Sequence, residues 1–150
     1  MSKSKYVYVT YIRTTPEKVF EALTKPEVTR QYWGLENISD WKPGSAWKHQ
    51  SADGSRTVRL LGEVIESTPP RRLVITWAFP QEAADKAKRT RVSFDIEGLE
   101  NMVRLTVTHD ELEPGSEMDK GIREGWPRVL SSLKSFLETG KPLDTWLAKK

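Results

Sequence analysis

Two stretches in the second half of the chain constrain the fold more than anything else. Residues 91–97 alternate, with Val92, Phe94 and Ile96 on one side and Ser93, Asp95 and Glu97 on the other. Residues 102–110 repeat the pattern, with Val103, Leu105, Val107 and His109 opposite Arg104, Thr106 and Thr108. A period of two sends successive side chains to opposite faces of a strand, so each stretch has one face that needs a cover and one that tolerates water. The intervening Gly98-Leu99-Glu100-Asn101 predicts a turn between them. The cover is written further on, where Met118, Ile122, Trp126, Val129, Leu130, Leu133, Phe136 and Leu137 recur at three- and four-residue spacing. That spacing predicts one long helix with a single apolar stripe, capped by Ser116 and stopped at Thr139-Gly140-Lys141-Pro142. Pro127 cannot donate to the carbonyl four residues back, so it is expected to bend or restart the helix, and Gly121 and Gly125 weaken the same half.

The remaining segments fill in a sheet. Residues 6–13 are dense in Tyr, Val, Ile and Thr, a strand composition. Thr14-Thr15-Pro16-Glu17 reads as a helix start, with a hydroxyl cap, proline at the first helical position and an acid in the first turn. That helix ends at Lys25-Pro26, and a second short one over 27–32 stops at Trp33-Gly34. Strands are expected over 46–50, 57–66 and 72–79, separated by Ala52-Asp53-Gly54-Ser55 and by Thr68-Pro69-Pro70. The order is strand, two short helices, about five antiparallel strands and a long helix, which is an α+β arrangement. No repeat, low-complexity run or linker divides the 150 residues, so one domain is expected over 1–150, with its core at about 6–140 and a tail over 141–150.

Composition removes much of the usual chemistry. With no cysteine, disulfides, thiolate nucleophiles and zinc ribbons are excluded, and two histidines leave no histidine-rich metal site. The residues imply no cofactor. The net charge of +3 is small, and the densest basic run, residues 86–91, follows Glu82 and Asp85, so it reads as a solvated hairpin loop and not as a nucleic-acid stripe. The N-terminal residues pass straight into a strand, with no apolar run that would serve as a signal peptide or membrane span, so a cytoplasmic location is expected.

Taken in order, certain runs resemble a known family. These are Tyr11-Ile12-Arg13-Thr14-Thr15-Pro16-Glu17-Lys18-Val19-Phe20, Gln31-Tyr32-Trp33-Gly34, Gly62-Glu63-Val64-Ile65-Glu66, Pro69-Pro70-Arg71-Arg72-Leu73-Val74-Ile75-Thr76-Trp77, Val107-Thr108-His109 and Gly125-Trp126-Pro127-Arg128-Val129-Leu130. They resemble the START-like, Bet v 1-type superfamily (SRPBCC), and within it the group named for the activator of Hsp90 ATPase. The resemblance covers about residues 6–140. It implies a helix-grip fold, in which a curved antiparallel sheet wraps around a long C-terminal helix with a cavity between them. The superfamily hosts lipid carriers, polyketide cyclases and co-chaperone domains, so fold alone does not choose among activities.

Three functional readings follow. The first is a small, apolar molecule bound in the cavity, with Trp33, Trp77, Phe94, His109, Met118, Ile122, Trp126 and Val129 as candidate lining residues. The bland alternative is that each is simply core. The second is a cyclase- or hydrolase-type enzyme using the same cavity, with His109 as the candidate acid–base group. Asp110 points to the other face and is not expected to orient it. His49, in a short strand near a polar hairpin, is expected at the surface. Glu63 shares a face with Leu61 and Ile65: either that face lines the cavity and Glu63 pairs, for instance with Arg59, or the face is wet. The third reading is a protein-binding module, hinted at by Trp146 and Leu147 in the tail. Ligand identity and oligomeric state stay open at this level.

Overall fold

The structure, a computed structural model, describes residues 3–143, so Trp146 and Leu147 lie outside the described residues. The chain order is β1 (Ser4–Ile12), α1 (Pro16–Thr24), α2 (Pro26–Trp33), β2 (Leu35–Ser39), β3 (Ala46–Ser51), β4 (Val58–Thr68), β5 (Arg72–Trp77), β6 (Thr90–Gly98), β7 (Val103–Leu112) and α3 (Glu117–Thr139). The strands form one antiparallel sheet in the order β1-β7-β6-β5-β4-β3-β2. Six of the seven follow one another as neighbours from β2 to β7. The chain closes the sheet by returning β1 beside β7, and α1 and α2 span from that edge to the opposite one.

The helices obey their local signals. Thr15 caps α1 by accepting from the Lys18 N–H at 3.3 Å, and Gly34 ends α2 in the left-handed region at φ 80°. Ser116 caps α3 by accepting from the Asp119 N–H at 3.1 Å, and Gly140 closes it at φ 83°. The helix does not restart at Pro127: α3 is a single element of 23 residues. Proline removes one intrahelical donor, and the apolar stripe on both sides of it is anchored in the core, which holds the helix continuous. Met118, Ile122, Trp126, Val129, Leu130 and Leu133 are all buried on this stripe, packed with Phe94, Ile96, Val103, Leu105 and Val107 from β6 and β7. Sheet and helix are thus a helix-grip α+β fold.

The opposite face of β5–β7 is wet and lined by cross-strand ion pairs, Arg91 with Asp110, Arg72 with Asp95 and Arg104 with Glu97. The basic run falls in the β5–β6 connection, which contains two short 3-10 turns, Pro80–Glu82 and Lys86–Lys88. The free edge of β1 is met by α3. Arg123 and Lys134 donate to the Lys5 and Tyr11 carbonyls, and the Arg13 N–H donates to the Glu138 carboxylate at 2.8 Å.

One strand escaped the sequence reading. Leu35-Glu36-Asn37-Ile38-Ser39 is poor in β-formers, yet it pairs fully with β3 and becomes the sheet's far edge. Strand β3 is therefore interior. At Gly62, opposite Trp47, a Cβ would lie 2.0 Å from the Thr76 carbonyl oxygen. Only glycine permits that approach, and the same oxygen accepts the Trp47 indole N–H at 2.7 Å.

Candidate functional site

A cavity of about 220 Å³ opens between the first half of α3 and the β3–β5 end of the sheet. Its walls come from Trp33 and Leu35 at the α2–β2 junction, His49 on β3, Arg59 and Leu60 on β4, Trp77 and Phe79 at the end of β5, and Glu117, Met118, Gly121, Ile122, Gly125, Trp126 and Val129 on α3. Local structure explains several of these. Leu60 pairs with His49 and Val58 with Gln50, so Arg59 is the extra residue of a β-bulge, the device that re-aims a side chain. Gly121 and Gly125 stand one turn apart on α3, and a Cβ at Gly121 would meet nothing within 4 Å. The glycines that seemed only to weaken the helix leave the cavity its room.

Three tryptophans form the aromatic wall. Trp33, Trp77 and Trp126 contact one another with ring centroids 6.3, 5.7 and 5.3 Å apart, and Trp33 lies 4.5 Å from His49. Of the eight residues read from the sequence as lining candidates, six stand on the cavity: Trp33, Trp77, Met118, Ile122, Trp126 and Val129. Phe94 and His109 are not among the lining residues. Each packs on Trp126, at 5.8 and 6.2 Å, and the indole takes the place they were expected to occupy.

The hydrogen bonds fix the state of both histidines. Trp126 has only an N–H to give, and it donates to His109 Nδ1 at 3.0 Å. His109 therefore carries its proton on Nε2 and donates it to Thr90 Oγ1 at 2.8 Å, while the Thr90 hydroxyl donates to the Trp77 carbonyl at 2.7 Å. Burial lowers the His109 pKa to about 3 against the opposing pull of Asp110 and Asp119. With both nitrogens engaged, His109 holds Trp126 in place and offers no lone pair to a substrate. Asp110 pairs with Arg91 on the other face, as the alternation required.

His49 is the reverse case, and its expected surface position is overturned: it is 1% exposed. The unrecognised edge strand β2 covers it. Asn37 donates through Nδ2 to the Leu23 carbonyl at 3.1 Å, which turns its Oδ1 towards His49 Nδ1 at 2.5 Å. That oxygen can only accept, so His49 carries its proton on Nδ1 and leaves Nε2 as a bare acceptor, unpartnered among the described residues. Burial first and the Arg59 charge second lower its pKa to about 3. One donor also stands alone: the Trp77 indole N–H is buried with no partner among the described residues. Glu63 lies on a wet face, exposed beside Ile65. Among the described residues no group of three or more His, Asp or Glu could hold a metal ion, and no helix is long and apolar enough to cross a membrane.

The site is thus an aromatic cleft with one accepting nitrogen and an arginine at its rim. Solved structures share this frame. The Aha1 dimer from Colwellia psychrerythraea superposes with a TM-score of 0.75 at 24% identity, covering 92% of this chain and 98% of that one. A Mesorhizobium loti protein gives 0.74 at 26% identity, over 89% and 96% of the two chains. An Hsp90 activator from Plasmodium falciparum gives 0.66 at 22% identity, over 81% and 86%. No curated protein matches the chain by sequence. Residues 13–138, which hold six of the seven strands and nearly all of the long helix, match the family described as activator of Hsp90 ATPase homolog 1-like protein, and the chain belongs to that family.

Proposed function

We propose that the cavity between α3 and the sheet binds a small, largely apolar molecule. The observation that carries this reading is an open cleft of about 220 Å³ walled by three mutually packed tryptophans. Its volume is below the roughly 300–1,000 Å³ of pockets for drug-sized ligands. It exceeds the roughly 150 Å³ of an apolar cavity that admits benzene. A ligand of one or two rings fits that interval. Titrating the protein with a panel of aromatics, fatty acids and sterols tests the reading through tryptophan fluorescence. Saturable quenching by a small aromatic is expected. Gly121→Leu, which fills the open space beside the helix, should remove it without unfolding the protein. No response from any ligand would refute the proposal.

A second reading, a protein-binding module, draws on a different surface. Val7, Val9 and Tyr11 are each 45–48% exposed along one face of the edge strand β1, a short apolar strip. The Plasmodium falciparum relative is an Hsp90 activator, which makes Hsp90 the partner to try. Retention of this chain on immobilised Hsp90, lost in Val7→Lys with Val9→Lys, would support it. No retention would dispose of it.

A further inference from the structure

The cleft is lined by apolar side chains except for Arg59, Glu117 and His49, and of these three only His49 is buried. His49 presents a bare Nε2, because Asn37 holds the ring proton on the other nitrogen. The unpartnered Trp77 indole N–H is closed off from the cleft, since the nitrogen has essentially no accessible surface. An imidazole that is 1% exposed, with one nitrogen engaged and the other bare on the cavity wall, marks a place for a donor that the chain itself does not supply. Burial keeps His49 neutral, with its pKa near 3, and the nitrogen stays an acceptor throughout the neutral range.

We infer that the ligand carries a hydrogen-bond donor on its ring, a hydroxyl in the simplest case, that gives its proton to His49 Nε2. This rests on the cavity-binding reading above and names the chemical class of that ligand. An ether or ketone would leave His49 unanswered. A carboxylate would set its lone pairs against that of His49 and draw instead on Arg59 at the rim. His109 cannot substitute, since both its nitrogens are engaged.

The test uses four probes of one ring size: naphthalene, 2-methoxynaphthalene, 2-naphthol and 2-naphthoate. Each is titrated into ¹⁵N-labelled protein while the tryptophan indole cross-peaks are followed. The inference expects 2-naphthol to bind about tenfold tighter than 2-methoxynaphthalene, the difference one neutral hydrogen bond in a closed site makes. It also expects the His49 Nε2 resonance of the wild-type protein to move upfield with 2-naphthol and to stay in place with the ether. In His49→Phe the two probes should bind alike. Because that variant also strips Asn37 of its partner, the wild-type resonance stands as the measurement that needs no substitution. Equal affinities for 2-naphthol and 2-methoxynaphthalene, or an unmoved His49 resonance, overturn the inference and leave the cavity reading intact. Tightest binding by 2-naphthoate overturns it in favour of an anion held by Arg59. If no probe shifts any indole cross-peak, the cavity reading itself fails.

Discussion

Acidification should unfold this protein through its two histidines. Both are neutral in the folded state, with pKa values lowered to about 3 from an ordinary 6.5, chiefly by burial. The sign follows from proton counting. Between pH 6.5 and about 3 the unfolded chain binds a proton at each imidazole that the folded chain refuses, so stability falls as pH falls. It is fully present above 6.5. Each histidine removes about 1.4 kcal/mol per pH unit in that window, and the pair about 2.7. By pH 4.5 the accumulated loss is about 5 kcal/mol, the lower end of the stability a domain of this size has in total. Asp119 and Glu138, whose pKa values are lowered by hydrogen bonds from Gly115 and Lys134, add a loss of the same sign further down. Urea unfolding followed by tryptophan fluorescence at pH 7.5, 6.5, 5.5 and 4.5, at fixed ionic strength, reads this out. With a slope of roughly 1–3 kcal/mol per molar urea, the midpoint should drop by about 2 M or more across the series. His109→Gln should halve the dependence whatever it does to stability at pH 7.5. A midpoint that stays constant from pH 7.5 to 5 would refute the reasoning, because it would mean that both imidazoles charge without leaving the fold.

Two other substitutions probe the frame. Gly62→Ala would drive a methyl into the Thr76 carbonyl, a backbone atom that cannot swing aside, and should leave little folded protein, measured as loss of near-ultraviolet circular dichroism. Thr90→Val keeps the shape but strips His109 Nε2 of its acceptor and the Trp77 carbonyl of its donor. A loss of about 1–3 kcal/mol is expected from urea midpoints, together with a shifted Trp126 indole resonance as the chain of bonds slackens.

The parts of the fold that could be read in advance are those where a local pattern and the final environment agree. The alternation in β6 and β7 and the stripe on α3 demanded one another, and the caps at Thr15, Ser116 and Gly140 each have a single physical function. Strand β2 had no such signal. Asn37 and Glu36 are poor strand formers, and the segment is extended because β3 offers it a ladder and His49 offers Asn37 a partner. Missing it reversed the roles of the histidines. His109 was legible as inward-facing, but its engagement with Trp126 and Thr90 depends on residues 17 and 19 positions away, which no spacing rule connects. His49 needed the edge strand to become interior at all. Arg59 needed a bulge, a one-residue insertion visible only as a slip in register. The clue available in the sequence and misjudged was the Gly121–Gly125 spacing, a bare patch one helical turn long on the face that looks into the cleft.

The contacts along the outer border of β1 carry a consequence for the life of the protein in a crowded solution. A nine-residue border strand with Val7, Val9 and Tyr11 turned outward is a ready template for stacking copy upon copy. Three side chains of the same long helix, Arg123, Lys134 and Glu138, already occupy backbone groups at its two ends. The helix that closes the core is thereby also a guard against fibril growth. Any event that lifts its C-terminal half, whether proteolysis or partial melting, unmasks the strand together with the core, so aggregation and loss of the cleft should share one trigger.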